Sequence, residues 1–533
     1  MRKAVKLFCV FMAAMIVLTA LSGCGGAEKP AAEKEASSSG KVDASPSEKQ
    51  SDKSSETSKG PIILKVGRPE DVSYWDMNNH FNLVNWSIGR LLYDQLIRRN
   101  NDGTYSPHLA TEWSCSEDGL SWSFTLREGV TFTNGEPLDA YDVQYTIERF
   151  VNEKNLRQAP NWTYLKNVDV QDEYHCTVNF TQPNGAFLSI ISELSILPKD
   201  TIAEMGLEKF FTAPIGSGPY KFKSWTQGSL IVFEKNENYW GEPGKADIIE
   251  YHTISDDNTR VSAFLAGDLY WVDNVPGDQV AIIEELGDTE IIPVNTWDAI
   301  YLGLKCDTKP FDDINFRKAL SLAIDRQAIV DKILGGGAAA RWIVGEGVVG
   351  YNPDAKVPEQ NIEEAKALVQ ASAYDGRELS FVGPTTWYAR TSEVMQYIAS
   401  CWNEIGVKVK IELLDGATFT DRRAGGDYDI YYTGCSHVGG DPILYLNQRI
   451  VQDTMKSGYK NEKLNSMILD VYGETDPKAR DAKMREIFQI MMDEYAPHLF
   501  LYSIQNTVAK KKNVTGDIIY KDKIIDFSHA TIE

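Results

Sequence analysis

Histidine and cysteine are scarce in this 533-residue chain, and neither is arranged for chemistry. The seven histidines stand singly, with no H-x-x-x-H pair and no Cys/His cluster, so a zinc site is not expected. Of seven cysteines, Cys9 and Cys24 belong to the amino end. Cys115, Cys176, Cys306, Cys401 and Cys435 follow at wide, irregular intervals without a C-x-x-C pair. That is not a disulfide framework; buried free thiols are expected, although one bridge is compatible with the count. There is no G-x-x-x-x-G-K-[ST] phosphate cradle and no G-x-S-x-G nucleophile elbow. The string Gly345 to Gly350 has dinucleotide-type glycine spacing, but it runs into Tyr351-Asn352-Pro353, a turn where the fingerprint needs a helix. Positive charge is short too: 54 Lys and Arg against 76 Asp and Glu give a net charge of −22, the wrong sign for nucleic acid. Nothing here argues for an enzyme, a cofactor or a resident metal.

Long hydrophobic runs are also missing. The longest, Leu7 to Leu21, has 15 residues, short of the roughly 20 that a membrane-spanning helix needs. It follows Arg2, Lys3 and Lys6 and leads into Ser22 and Gly23, the layout of a secretory signal peptide over residues 1–23. Its removal takes three cations away, from −22 to −25. Leu21-Ser22-Gly23-Cys24 resembles the lipobox of bacterial lipoproteins, which implies cleavage before Cys24 and lipid on its sulfur. Residues 25–60 contain no aromatic residue and little apolar beyond alanine, so they cannot offset their ordering entropy. They read as a disordered tether with an end-to-end distance of about 30 Å.

The body from residue 61 is long enough for two lobes, and its 12 Trp, 25 Tyr and 20 Phe exceed what core packing alone absorbs. Strand signals dominate the first part. "LSWSFTLREGVTF" alternates Trp122, Phe124 and Leu126, and "YHCTVNF", "YKFKSW" and "LIVFEKN" follow. "DAYDVQYTIERF" (139–150) has helical spacing through Val143, Ile147 and Phe150. After about residue 300, helices and strands alternate. The spacing predicts one helix from an Asp cap at 312–313 to Gly335, a second opened by Asn361 with Glu364, and a third closed by Gly406 before the strand "VKVKIELL". "DYDIYYTG" (427–434) is a further strand. The pattern is α/β with a central sheet.

Several blocks resemble the oligopeptide/dipeptide/nickel class of ABC-transporter solute-binding proteins, family 5. "LLYDQLIRRNNDGTYSPHLATEWSCSEDGLSWSFTLREGVTFTNGEPLDAYDVQYTIERF" is similar to its amino-terminal signature, "PIGSGPYKFKSW" with "EKNENYWG" to its central one, and "KPFDDINFRKALSLAIDRQAIVDKILGGG" to its second-lobe helix. The resemblance implies a two-lobed periplasmic-binding-protein-like fold (class II, cluster C type) with mixed central sheets. It places the chain crossings near 296–302 and 501–505, hence lobe I at 61–297 plus 502–533 and lobe II at 298–501. It implies an extracytoplasmic, monomeric lipoprotein that captures peptides and delivers them to a membrane permease and its ATPase. A binder of oligosaccharide or metal chelate and a peptide-signal receptor are the alternatives.

In peptide binders of the class, an aspartate shortly before a "DP" motif holds the ligand's amino group. Here that position falls to Ser436, His437 or Val438, and Asp441 is the residue of "DP" itself, where a helix cap is the ordinary role. Arg390, in the loop after Phe381, is the candidate for a peptide carboxylate, with a surface role equally open. These departures point away from a plain dipeptide and toward oligopeptides held through backbone contacts. Trp75, Trp297, Tyr301, Trp387, Tyr388 and Tyr432 are the candidate aromatic contacts, and His437 could ligate a chelated metal.

Overall fold

Two long strands, Thr289–Leu304 and His498–Lys511, run antiparallel through the middle of the molecule and belong to one large mixed sheet. The computed structural model describes residues 60–533 apart from 73, 80–82 and 154. The signal segment, Cys24 and the tether to residue 59 therefore lie outside the described residues. Residues 299–304, "AIYLGL", are buried throughout, as a strand flanked on both sides requires. They pair with Ile430–Cys435, beyond which lie Leu379–Pro384 and Val409–Leu414, each parallel to its neighbour. At the other end, residues 509–510 pair with Trp271–Val272, and the sheet continues through Ile63–Arg68, Ile248–Thr253, Leu230–Lys235 and Tyr220–Thr226. Among the described residues, the two ends of the sheet share only the long strands.

Between the two ends the register slips. Asn295 faces Gln505 and Ala299 faces Ser503, so Thr296, Trp297 and Asp298 stand opposite Ile504 alone. This bulge is held by the Thr296 hydroxyl donating to the Ile504 carbonyl at 2.8 Å and by the Trp297 amide donating to the Lys521 carbonyl at 2.8 Å. A bulge of this kind bends the strand and re-aims its side chains.

A separate four-stranded antiparallel sheet, in the order Ala110–Cys115, Ser121–Leu126, His175–Phe180, Leu165–Asp172, packs Trp122, Phe124 and Leu126 inward. The helix Ala140–Asn152 lies on it through Val143, Ile147 and Phe150. Asp139 and Asp142 cap that helix reciprocally: Asp139 accepts from the Tyr141 and Asp142 amides at 2.8 and 3.3 Å, and Asp142 accepts from the Asp139 amide at 3.0 Å. Asn361 caps Ile362–Ala371 as expected, through the Glu364 amide at 3.0 Å.

The expected single helix up to Gly335 is interrupted. It runs only from Ile314 to Leu322 behind its Asp313 cap. Asp325 then takes an extended conformation and accepts from the Ala328 amide at 2.9 Å, opening a new helical segment that becomes π-helical over Ile329–Leu334. A second capping aspartate inside an apolar periodicity overrode the periodicity. The five body cysteines are all free thiols. No described helix is long and apolar enough to cross a membrane.

The reciprocal cap yields a direct stability test. Asp139→Ala removes two acceptor contacts and is expected to lower the urea midpoint by the equivalent of about 1 kcal/mol with an unchanged m-value.

Candidate functional site

The bulge decides where the site is. Trp297 turns to one side, where its indole stacks on the Arg99 guanidinium at 4.1 Å and donates to the Glu346 carbonyl at 2.7 Å. Asp298 is aimed to the other side, into a cavity of about 550 Å³. Residues 157–161 and 186–193 and the start of the helix Leu83–Leu92 form one wall, and residues 434–449 form the facing one. Tyr301 lies with Asp298 along the strand, and Lys523 reaches in from the carboxy-terminal segment.

Each acid of the cavity has a base. Asp298 accepts from the Ser436 hydroxyl at 2.6 Å and forms an ion pair with Lys523. Lys523 is placed there by a turn in which its own backbone is left-handed (φ 70°) and its amide donates to the Tyr520 carbonyl at 3.0 Å. Glu193 takes both of its oxygens to Arg90, at 2.9 and 3.2 Å. Asp441 accepts from Arg480 at 2.8 and 3.1 Å and from the Ile443 amide at 2.9 Å, so it ties the start of the following helix to Arg480.

The neutral groups are equally constrained. His437 is 2% exposed; its Nε2 lies 3.6 Å from the Cys435 sulfur, and its Nδ1 has no partner among the described residues. Burial pushes the His437 imidazole down to about 4, against the pull of Asp298 and Asp441, so the ring is neutral near pH 7. Burial likewise drives the Cys435 thiol far up, which leaves it protonated and poorly nucleophilic. The Tyr445 hydroxyl meets His498 Nδ1 at 2.5 Å, and the Tyr301 ring packs 4.3 Å from the His498 ring. Beyond them, Arg449 sits half-buried on the π-helical turn Asn447–Val451 and donates to the Thr454 hydroxyl at 2.8 Å.

Of the nine residues singled out from the sequence, Tyr301, His437 and Asp441 line this cavity. Trp75 does not: it is core, edge-on to Phe222 and Trp225 at 4.8 and 5.5 Å. Trp297 is 1% exposed and spent on Arg99 and Glu346. Tyr432 is fully buried with its hydroxyl bonded to that of Tyr502. Tyr388 lies just behind the wall, accepting from the Gly434 amide at 2.8 Å. Trp387 is 42% exposed against Phe419, and Arg390 points to solvent 3.9 Å from Glu393. The sequence reading missed Asp298, Glu193, Arg449 and Lys523. For Asp298 a signal existed, since it is the single acid in the otherwise apolar run "WDAIYLGL"; for Lys523, in a polar tail, there was none. The described residues hold no cluster of three or more His, Cys, Asp or Glu that could bind a metal ion.

The chain belongs to the family described as "Bacterial extracellular solute-binding proteins, family 5 Middle", whose profile matches residues 104–454. It is 26% identical over 477 residues to the probable D,D-dipeptide-binding periplasmic protein DdpA of Escherichia coli K12, covering 85% of this chain and 91% of that protein. It is 26% identical over 458 residues to the oligopeptide-binding protein AppA of Bacillus subtilis, covering 80% and 84%. Among solved structures it is similar to the ABC transporter substrate-binding protein CtaP of Listeria monocytogenes, with TM-score 0.81, 22% identity and coverage of 89% of this chain and 100% of that one. NikA of Brucella suis, in complex with Fe(III)-EDTA, gives TM-score 0.80 at 23% identity, covering 88% and 100%. The fold is therefore that of the family 5 periplasmic binding proteins.

The neutral His437 makes stability pH-dependent in a defined direction. The unfolded chain binds its proton below about pH 6.5 while the folded chain resists until about 4, so stability present above 6.5 is lost on acidification toward 4, by about 3 kcal/mol for this residue. His498, also held far below its ordinary value by burial, adds to the same slope. His437→Gln is expected to flatten the loss between pH 7 and 5 in urea titrations without abolishing it.

Proposed function

We propose that this chain is the lipid-anchored, extracytoplasmic receptor of an ABC importer, that its solute is a short peptide, and that it hands this solute to a membrane permease driven by an ATPase. The observation that carries the reading is the cavity itself: its walls come from residues 83–193 on one side and 434–449 on the other, and the bulged strand runs between them. Lobe I would comprise 61–297 with 502–533 and lobe II 298–501, and the bulge at 296–298 would be the flexing point. Ligand touching both walls stabilises the closed state in proportion to its differential affinity. The volume of about 550 Å³ falls within the range of about 300–1,000 Å³ common for small-ligand sites and suits a peptide of a few residues. Support for a peptide comes from the relatives, whose names specify D,D-dipeptides, oligopeptides and glutathione. The protonated Cys435 and the paired carboxylates favour capture over turnover.

Two outcomes test this. In thermal-shift assays against peptide, oligosaccharide and metal-chelate panels, short peptides are expected to raise Tm, by the equivalent of about 2.7 kcal/mol at a hundredfold excess over Kd. A shift by sugars or chelates alone overturns the peptide reading. For the anchor, Cys24→Ser is expected to move the protein from the membrane fraction to the soluble fraction after secretion; retention in the membrane overturns lipidation at that residue.

A further inference from the structure

The charges around the cavity match one to one until two arginines are left over. At the surface of the cavity, Asp298 is matched by Lys523, Glu193 by Arg90 and Asp441 by Arg480. Behind Glu193 lie two further acids, and each again has its base: Asp522 faces Arg99 at 3.8 Å and Asp526 faces Arg98 at 3.8 Å. Arg449 and Arg157 also line the cavity and have no acidic partner among the described residues. Arg157 is exposed at the rim, whereas Arg449 is half-buried. The Tyr301 and Tyr445 hydroxyls and the Cys435 thiol are driven up by burial, and Arg449 is close enough to oppose that shift in all three. Its charge therefore acts on the interior of the site.

A chain with a net charge of −22 thus keeps a local cationic surplus around its cavity once Arg90 and Arg480, behind the lining, are counted. Among the described residues Arg449 donates only to the neutral Thr454 hydroxyl, so an anion would complete it as a charge-assisted pair. Burial also raises the Glu193 and Asp522 carboxyls, and Arg90 opposes this for both. Any proton held there adds to the positive side. No acid of the cavity is left unpaired to receive a ligand's ammonium group, since Lys523 already occupies Asp298.

Resting on the peptide reading above, we propose that the solute is an acidic peptide: a carboxylate seats on Arg449 as a charge-assisted pair, with the unpartnered His437 Nδ1 as a neutral hydrogen-bonding group on the same wall. Arg157 at the rim attracts the same charge. The amino end of the peptide is held by neutral acceptors or remains near solvent.

The test compares Ala-Glu-Ala, Ala-Ala-Ala and Ala-Lys-Ala, each with a free and an amidated carboxyl end, together with glutarate as a free dicarboxylate. Binding to the full chain is read by calorimetry at low and high salt. The acidic tripeptide is expected to bind at least about tenfold more tightly than the neutral one, with the basic one weakest, and to weaken with salt. Arg449→Gln is expected to erase about tenfold or more of that preference, and Arg449→Lys to restore part of it, with circular dichroism unchanged. Equal binding of all three tripeptides, or a wild-type preference in a folded Arg449→Gln variant, overturns the charge assignment and leaves the peptide reading standing. Binding of glutarate with no tripeptide bound overturns the peptide reading and leaves the anionic cavity standing. Should Arg449→Gln fail to fold, the ranking of the three tripeptides on the wild-type chain decides.

Discussion

The pairing of Thr289–Leu304 with His498–Lys511 is the constraint on which the rest depends. Among the described residues these strands carry the only ladder shared by the two ends of the large sheet, and its register shifts twice, at residues 296–298 and again between Ile300 and Tyr301. At the first shift, three residues opposite one in an antiparallel pair cannot all point into the same layer. Trp297 is driven against Arg99, and Asp298 into the cavity, where it captures Ser436 and Lys523. The irregularity at 296–298 therefore places the acid that organises the pocket.

The cavity combines two kinds of electrostatics. Its carboxylates are closed pairs, with Asp441 and Arg480 both nearly buried, and such pairs chiefly hold geometry in place. Its neutral groups, His437 above all, are neutral because burial makes their charged forms too costly. What stays electrically open is cationic. Rigid surroundings with two open cations, Arg449 and Arg157, suit selective capture of an anion.

Much of the fold was legible because periodicity and caps are local. Asp139, Asn361 and Asp313 open helices where their residue types call for it, and the alternation of Trp122, Phe124 and Leu126 does become a buried strand face. Asp325 misled because a cap inside an apolar repeat can be read only once the chain is seen to turn there. The candidate site was less legible for a related reason. Aromatic residues at loop and crossing positions satisfy the core and a pocket equally well, and Trp75, Trp297 and Tyr432 went to the core. Asp298, Lys523 and Arg449 come from three distant parts of the chain, so only the bulge, the tail turn and the π-helical turn bring them to one cavity.

The order of strands also bears on how the chain can be assembled in time. Ile63–Arg68 comes earliest among the described strands, yet on one side it rests on Trp271–Val272, which is itself completed by residues 509–510, far later in the chain. The amino-terminal half therefore cannot close its own sheet until nearly the whole polypeptide is available, and a partly emerged chain exposes an unpaired strand edge throughout. Sensitivity to loss of residues 498–533 out of proportion to their number follows from this topology.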